Sequence, residues 1–405
     1  MRQATESTRL TTVLLASGII LSLAMGVRHG FGFWLQPVSQ HHDWARDTFS
    51  LAMALQNLMW GVFGPVAGMA ADRFGAPRVV LLGALLYMGG LLAMASAVQP
   101  SVFVVGSGVL IGAGLSCTAF GALSGVVGRT APLARRSWAF GVLGAAGSFG
   151  QFAMVPVEQL LISGAGWQGA LYCLAAAVVA LMIPLSFMLH EPPESPSPGM
   201  ASQSVSEAVR EAFAHRPFRL LVAGYFVCGF QVVFIGVHLP SYLKDRGVVD
   251  PQVAVVALAL IGLFNIFGSF MAGQLGGRLP KPRLLAAIYL VRALIITVFV
   301  FSPLSPTSVY LFAASMGLLW LSTVPLTNGV IAGMFGVRHL SMLSGFVFFS
   351  HQLGSFSGVW LGGYLYTVQG SYDTVWMITI ALGLAACALN LPINEAPVTR
   401  SPQTA

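Results

Sequence analysis

Gly68-Met69-Ala70-Ala71-Asp72-Arg73-Phe74-Gly75-Ala76-Pro77-Arg78 is a short charged passage set between two apolar runs, 48–71 and 77–98. A second passage, Gly273-Gln274-Leu275-Gly276-Gly277-Arg278-Leu279-Pro280-Lys281-Pro282-Arg283, stands between apolar runs at 253–277 and 283–302. Both keep a helix-ending glycine and a basic cluster, and each follows the second run in a set of six. The first set is 10–35, 48–71, 77–98, 101–128, 137–162 and 167–190; the second is 217–241, 253–277, 283–302, 307–335, 341–367 and 372–393. A hydrocarbon core about 30 Å thick takes about twenty apolar residues per helical crossing. The pattern therefore predicts an all-α, polytopic membrane protein with twelve transmembrane helices in two six-helix bundles. Duplicated halves around a midplane site are a frequent construction of secondary transporters.

Composition supports lipid as the solvent. Of 405 residues, 56% are hydrophobic and 8% charged, whereas a soluble domain carries about a quarter charged residues. The 46 glycines suit helices packed closely in a membrane. The formal net charge of +7 does not point to nucleic acid, because the basic residues are spaced between apolar runs. With the N-terminus inside, cytoplasmic segments hold Arg2, Arg9, Arg73, Arg78, Arg129, Arg135, Arg136, Arg210, Arg216, Arg219, Arg278, Lys281, Arg283, Arg338 and Arg400, against Arg46, Lys244 and Arg246 on the other face. This positive-inside bias puts both termini in the cytoplasm, in the inner membrane of the cell. The first run, about 10–35, is too long for a signal-peptide core and has no cleavage site. Cys117, Cys173, Cys228 and Cys387 sit singly in apolar runs and read as buried hydrophobes, not as metal ligands. The chain divides into bundles at 1–190 and 217–405. The linker, 191–216, is rich in Pro and Ser and disordered in character in its first half, with a short amphipathic surface helix over 205–213.

The passage Gly68–Arg78 resembles the G-x-x-x-D-R-x-G-x-[RK] signature of the major facilitator superfamily, through Gly68, Asp72, Arg73 and Gly75, with Arg78 one place beyond the position of the pattern's basic residue. By that resemblance it is a gate latch and not a substrate site, with Asp72 capping or pairing at helix ends and Arg73 and Arg78 locking the cytoplasmic side. Arg135-Arg136-Ser-Trp-Ala139-Phe-Gly141, Ala146-Gly147-Ser148 and Gly166-Trp167, with Gly26-Val-Arg28-His29-Gly-Phe31-Gly32 in the first helix, are similar to bacterial members of the monocarboxylate porter family. The resemblance implies alternating access and carboxylate transport. Where better-studied porters carry an Asp and an Arg one turn apart in the eighth helix, this sequence has Asn265 and Ser269. Where they carry a lysine late in the first helix, Phe33 stands nearby.

No hydrolytic triad, phosphate loop or metal cluster is present, so the chain is not read as an enzyme, needs no cofactor, and draws energy from a gradient. Chemistry then rests on polar groups inside the membrane, which are costly unless paired or wet. Arg28 lies in the outer half of the first helix, where a guanidinium offers a carboxylate a planar two-pronged grip or pairs structurally. Arg292, midway along the ninth helix, contacts either substrate or a neighbouring helix. Glu158 is a proton carrier or a partner for Arg28. His29 and His351, and His238 further out, titrate near neutral pH or are simply hydrogen-bonded. Gln56, Asn57, Gln151, Gln231, Asn265, Asn328 and Gln352 are buried amides that need partners, with Gln231 and Asn328 facing the pore. Phe31, Trp34, Trp60 and Trp320 either shape the site or pack. The expected activity is movement of a small organic anion, a monocarboxylate, by a monomer that also takes protons or another coupling ion. A carrier of a neutral or aromatic compound and a non-transporting membrane sensor are the alternatives.

Overall fold

The computed structural model describes residues 2–44, 46–189, 203–248 and 250–398. Most of the Pro- and Ser-rich first half of the linker, with Ser197, lies outside them, as does Arg400. Among the described residues every element is helical. The membrane-crossing helices are α1 (Arg2–His29), α2 (Arg46–Phe74), α3 (Ala76–Ala95) and α4 (Pro100–Thr130). The long stretch Leu133–Ser186 holds two crossings, α5 (136–165) and α6 (167–186), because Gly166 (φ 71°, ψ 170°) turns the chain back within it. The second half has α7 (Arg216–Asp245), α8 (Pro251–Gly276), α9 (Lys281–Phe301), α10 (Pro306–Phe335), α11 (Leu340–Gln369) and α12 (Asp373–Asn390). At 1.5 Å per residue, even the 18-residue α12 reaches roughly 27 Å, close to the thickness of the hydrocarbon core.

Gly75 and Gly277 end α2 and α8, whereas Gly68 and Gly273 lie inside those helices. α2 runs on through Asp72 to Phe74, and Gly75 alone (φ 87°) makes the turn into α3. Gly68 lies against the backbone of Ser341, where a Cβ would collide. Gly273 likewise continues α8 and meets Gly141 of α5, whose added Cβ would fall 2.7 Å from the Gly273 Cα. These glycines close distances between helices instead of terminating them.

The two halves join along two such seams. In one, Gly61, Gly64 and Gly68 fall on a single face of α2 and meet Gln352, Gly345 and Ser341 of α11. In the other, Ser137 Oγ of α5 donates to the Gly276 carbonyl (3.2 Å), and Asn265 Nδ2 of α8 donates to Ser148 Oγ (2.9 Å). The linker ends in a helix, Val205–Ala214, begun by a capping box between Ser204 and Glu207. The Ser204 N–H on Glu207 holds that exposed carboxyl below its ordinary range.

The fourth helix of each half is interrupted. α4 breaks at Ala119, which is extended (φ −97°, ψ −164°). α10 breaks over 320–322, just before Pro325, which has no N–H to give the carbonyl of residue 321.

Candidate functional site in a cavity between the halves

A cavity of about 340 Å³ lies between the halves, walled by α1, α2, α4 and α5 on one side and α7, α10 and α11 on the other. Phe120 and Gly121 follow the break in α4, and Trp320 and Leu321 form the break in α10; all four line it. Interrupted helices at matching places in two repeats are where a membrane protein can offer unspent backbone polar groups to a cavity.

Arg28 and His29 bring α1 into the wall. The Arg28 guanidinium donates to Asn57 Oδ1 and lies over the Trp60 ring, 4.9 Å from its centroid. The carbonyl of Asn57 accepts from Gln352 Nε2 (3.3 Å) across the α2–α11 seam, so the cation is tied to a contact between the halves. Among the described residues no carboxylate pairs with Arg28, and its Nε has no partner. The expected pairing with Glu158 does not form. Glu158 is buried against Gly30, while the Arg28 side chain turns to α2. Both Glu158 carboxyl oxygens are without a hydrogen-bond partner among the described residues.

Other predicted site residues separate by geometry. Asn328 lines the cavity; its Nδ2 donates to Ser124 Oγ of α4 (3.0 Å) and its Oδ1 accepts from Ser344 Oγ of α11 (2.7 Å). His351 also lines it, stacked on Phe348 with ring centroids 5.4 Å apart. His238 sits further along α7 and is held by the Val359 carbonyl (3.0 Å). Gln231, expected at the pore, faces α12 instead and donates to the Thr379 carbonyl (3.1 Å). Arg292 is not in the cavity wall. It is fully buried behind α10, where it donates to the carbonyls of Leu319 and of Trp320 (2.6 Å) and approaches Cys228 Sγ (3.5 Å). The substrate contact expected of it is replaced by a scaffolding one: it satisfies the carbonyls that the α10 break frees. From the opposite side Asn265 Oδ1 accepts the Leu321 N–H (3.0 Å) and Ser269 Oγ (3.2 Å). The neutral pair in the eighth helix thus braces the break and also reaches α5.

The contacts at Asp72 differ from those expected of its motif. Asp72 accepts from Arg129 Nη1 (2.7 Å) at the end of α4, and from the N–H groups of Ser341 (3.3 Å) and Met342 (2.9 Å) in the first turn of α11. A carboxylate at a helix N-terminus meets both free N–H donors and the positive end of the helix dipole. The N-cap position of α11, His339, supplies no side-chain cap of its own. Arg73 and Arg78 are exposed, and Arg73 rests on Phe74. Arg129, read only as a topology charge, is the cation that pairs with Asp72.

Residues 14–331 match the family model described as Major Facilitator Superfamily. The chain belongs to this superfamily. Among curated relatives it is 25% identical over 414 residues to the uncharacterized MFS-type transporter YcxA of Bacillus subtilis (strain 168), covering 96% of this chain and 97% of that one. It is 28% identical to human monocarboxylate transporter 11, over 95% of this chain and 83% of the relative. Its fold is similar to that of the E. coli fucose:proton symporter FucP, with TM-score 0.73 at 17% identity, covering 94% and 98% of the two chains. It is also similar to that of the proton:xylose symporter XylE, with TM-score 0.71 at 15% identity and 95% of each chain covered. As a superfamily member the protein is a multi-pass membrane transporter and not an enzyme.

Proposed function

We propose that the protein is a secondary active transporter of small organic anions, monocarboxylates, and that Arg28 anchors the carboxylate. The observation that carries this reading is a cavity-facing guanidinium, inside a membrane protein, with no carboxylate to neutralise it among the described residues. A charge in that setting requires compensation, and a planar guanidinium matches a carboxylate's two oxygens. Relatives named monocarboxylate transporters support the same substrate class. Uptake into proteoliposomes, across labelled monocarboxylates, other organic anions and neutral aromatic compounds, tests it. The neutral Asn265 and Ser269 of α8 favour a second reading, a carrier of neutral compounds, and saturable uptake confined to the neutral arm of that panel would establish it.

Alternating access would part the halves along the two glycine seams and open the cavity to the other face. The basic asymmetry of the sequence supports an orientation with the latch face and both termini in the cytoplasm, in the inner membrane in this reading. A cysteine at Ser241, which is exposed beyond the cavity, should react with an impermeant maleimide from outside cells lacking the native cysteines, and one at Ser197 should not. External labelling of Ser197→Cys would reverse the topology. The transporter acts as a monomer in this reading.

Glu158 supplies a route to proton coupling. Its carboxyl has no partner among the described residues and packs on Gly30, the residue that follows Arg28 and His29 and opens the 3₁₀ turn Gly30–Trp34. His29, exposed in the cavity, is the second candidate carrier. Glutamine mimics the protonated acid, so Glu158→Gln should insert normally and still exchange substrate across the membrane. It should lose accumulation driven by a pH step, which for one proton and one unit of pH is at most about tenfold. Undiminished accumulation in this variant would remove Glu158 from the coupling.

A further inference from the structure

We infer that the carboxylate held in this cavity carries an aromatic ring, with its anionic end on Arg28 and its ring against Trp60 and Phe348. The inference rests on the proposed role of Arg28 and adds the body of the substrate to it. The rings begin at the cation. Arg28 lies over Trp60. Trp60 meets Phe348 with centroids 4.6 Å apart and planes 49° apart. Phe348 stacks on His351 at 5.4 Å and 12°, and His351 meets Tyr225 at 5.2 Å. All five residues line the cavity, so the rings form a continuous wall leading away from the single guanidinium. They do not form a belt at the membrane interface.

A short hydroxy acid would satisfy Arg28 and leave most of this wall against water. Liquid water occupies about 30 Å³ per molecule, so 340 Å³ would hold on the order of ten waters. The volume sits at the lower end of sites that enclose drug-sized ligands. An aryl carboxylate matches the wall in both respects: one anionic end at the cation, and one flat apolar body beside rings that favour offset or edge-on partners. Trp60 belongs to α2 and Phe348 to α11, so the same ring would be read by both halves of the molecule. Recognition of the ring is thereby coupled to the approach of the halves, whereas a short acid at Arg28 would be read through α1 and α2 alone.

Isothermal titration of the purified full-length protein with phenylpyruvate, phenylacetate, lactate, pyruvate and phenylacetamide tests this. The aryl acids should bind about ten- to a hundredfold more tightly than lactate and pyruvate, the gain expected from burying one aromatic side group. Phenylacetamide should bind far more weakly than phenylacetate. Phe348→Leu, which keeps an apolar residue of similar bulk, should reduce the preference for aryl over short acids about tenfold. Equal affinity for short and aryl acids would overturn the aromatic assignment and leave the carboxylate reading standing. Equal affinity for phenylacetate and phenylacetamide would overturn the carboxylate reading and this inference with it. No binding by either aryl acid, or an unaltered aryl preference in Phe348→Leu, would also refute the aromatic seat.

Discussion

Asp72→Asn is expected to leave the protein inserted and folded, with transport reduced by well over an order of magnitude and ligand binding altered far less. The carboxylate receives the Arg129 guanidinium and two backbone N–H groups of α11, and its side chain is only 3% exposed. Asparagine keeps one acceptor, loses the charge and turns an amide N–H toward groups that are themselves donors. Removing one charge-assisted hydrogen bond costs about 1.5–3 kcal/mol, which shifts the ratio of latched to unlatched molecules by about ten- to a hundredfold. Arg28 of α1 meets α2 at Asn57 and Trp60, about three turns back along the helix from Asp72, and is untouched. Initial uptake rates and binding isotherms on the same preparation separate the two quantities. Equal loss of binding and transport would contradict the latch role. Arg129→Gln should reproduce the defect, and the double variant should be little worse than either single one, since both act on the same ion pair.

Arg28→Lys should lower carboxylate affinity about ten- to a hundredfold while membrane abundance stays near normal. Lysine retains the charge but cannot both donate to Asn57 and present a planar fork; a single charge-assisted hydrogen bond to the substrate is worth about 1.5–3 kcal/mol. Arg28→Gln should abolish high-affinity binding outright. Because Arg28 turns to Asn57 and Trp60 and not to Glu158, the further change in Arg28→Gln/Glu158→Gln should restore neither abundance nor binding. Membrane abundance by immunoblot and binding by titration would be measured together for all three variants. Normal carboxylate binding by well-expressed Arg28→Gln would dismiss the anchor and bring the neutral-compound reading forward.

What the sequence made legible is what repeats along it. Apolar runs of one length, their grouping in sixes and the charged passage at Asp72 each recur or sit at a fixed place, so they could be read without knowledge of the folded chain. Partners brought together by folding could not. Arg129 is 57 residues from Asp72, and nothing local distinguishes it from the other arginines of the basic segments. Arg292 is conspicuous by depth, but its acceptors are backbone carbonyls in α10, and those carbonyls are free only because that helix is interrupted. Pro325 is the available sign of the interruption. For the matching one at Ala119 the neighbouring residues include no proline. The part played by Gly68 and Gly273 was not legible either, because glycine can end a helix or allow another to approach, and the choice depends on Ser341 and Gly141, which are distant in sequence.

The glycine seams also bear on how this molecule moves. Where Gly64 meets Gly345 and Gly141 meets Gly273, main chain rests on main chain, and there are no side chains long enough to stay in touch as a gap begins to open. Attraction of that kind vanishes within the first ångström or so of separation, which leaves only side-chain hydrogen bonds, such as Gln352 to Asn57 and Ser137 to Gly276, to span the gap. Such a surface favours two discrete arrangements over a continuum. It also makes each glycine a place for a doorstop: a leucine at Gly345 or Gly141 would wedge the halves apart on the latch face and hold the population in the opposite-facing form.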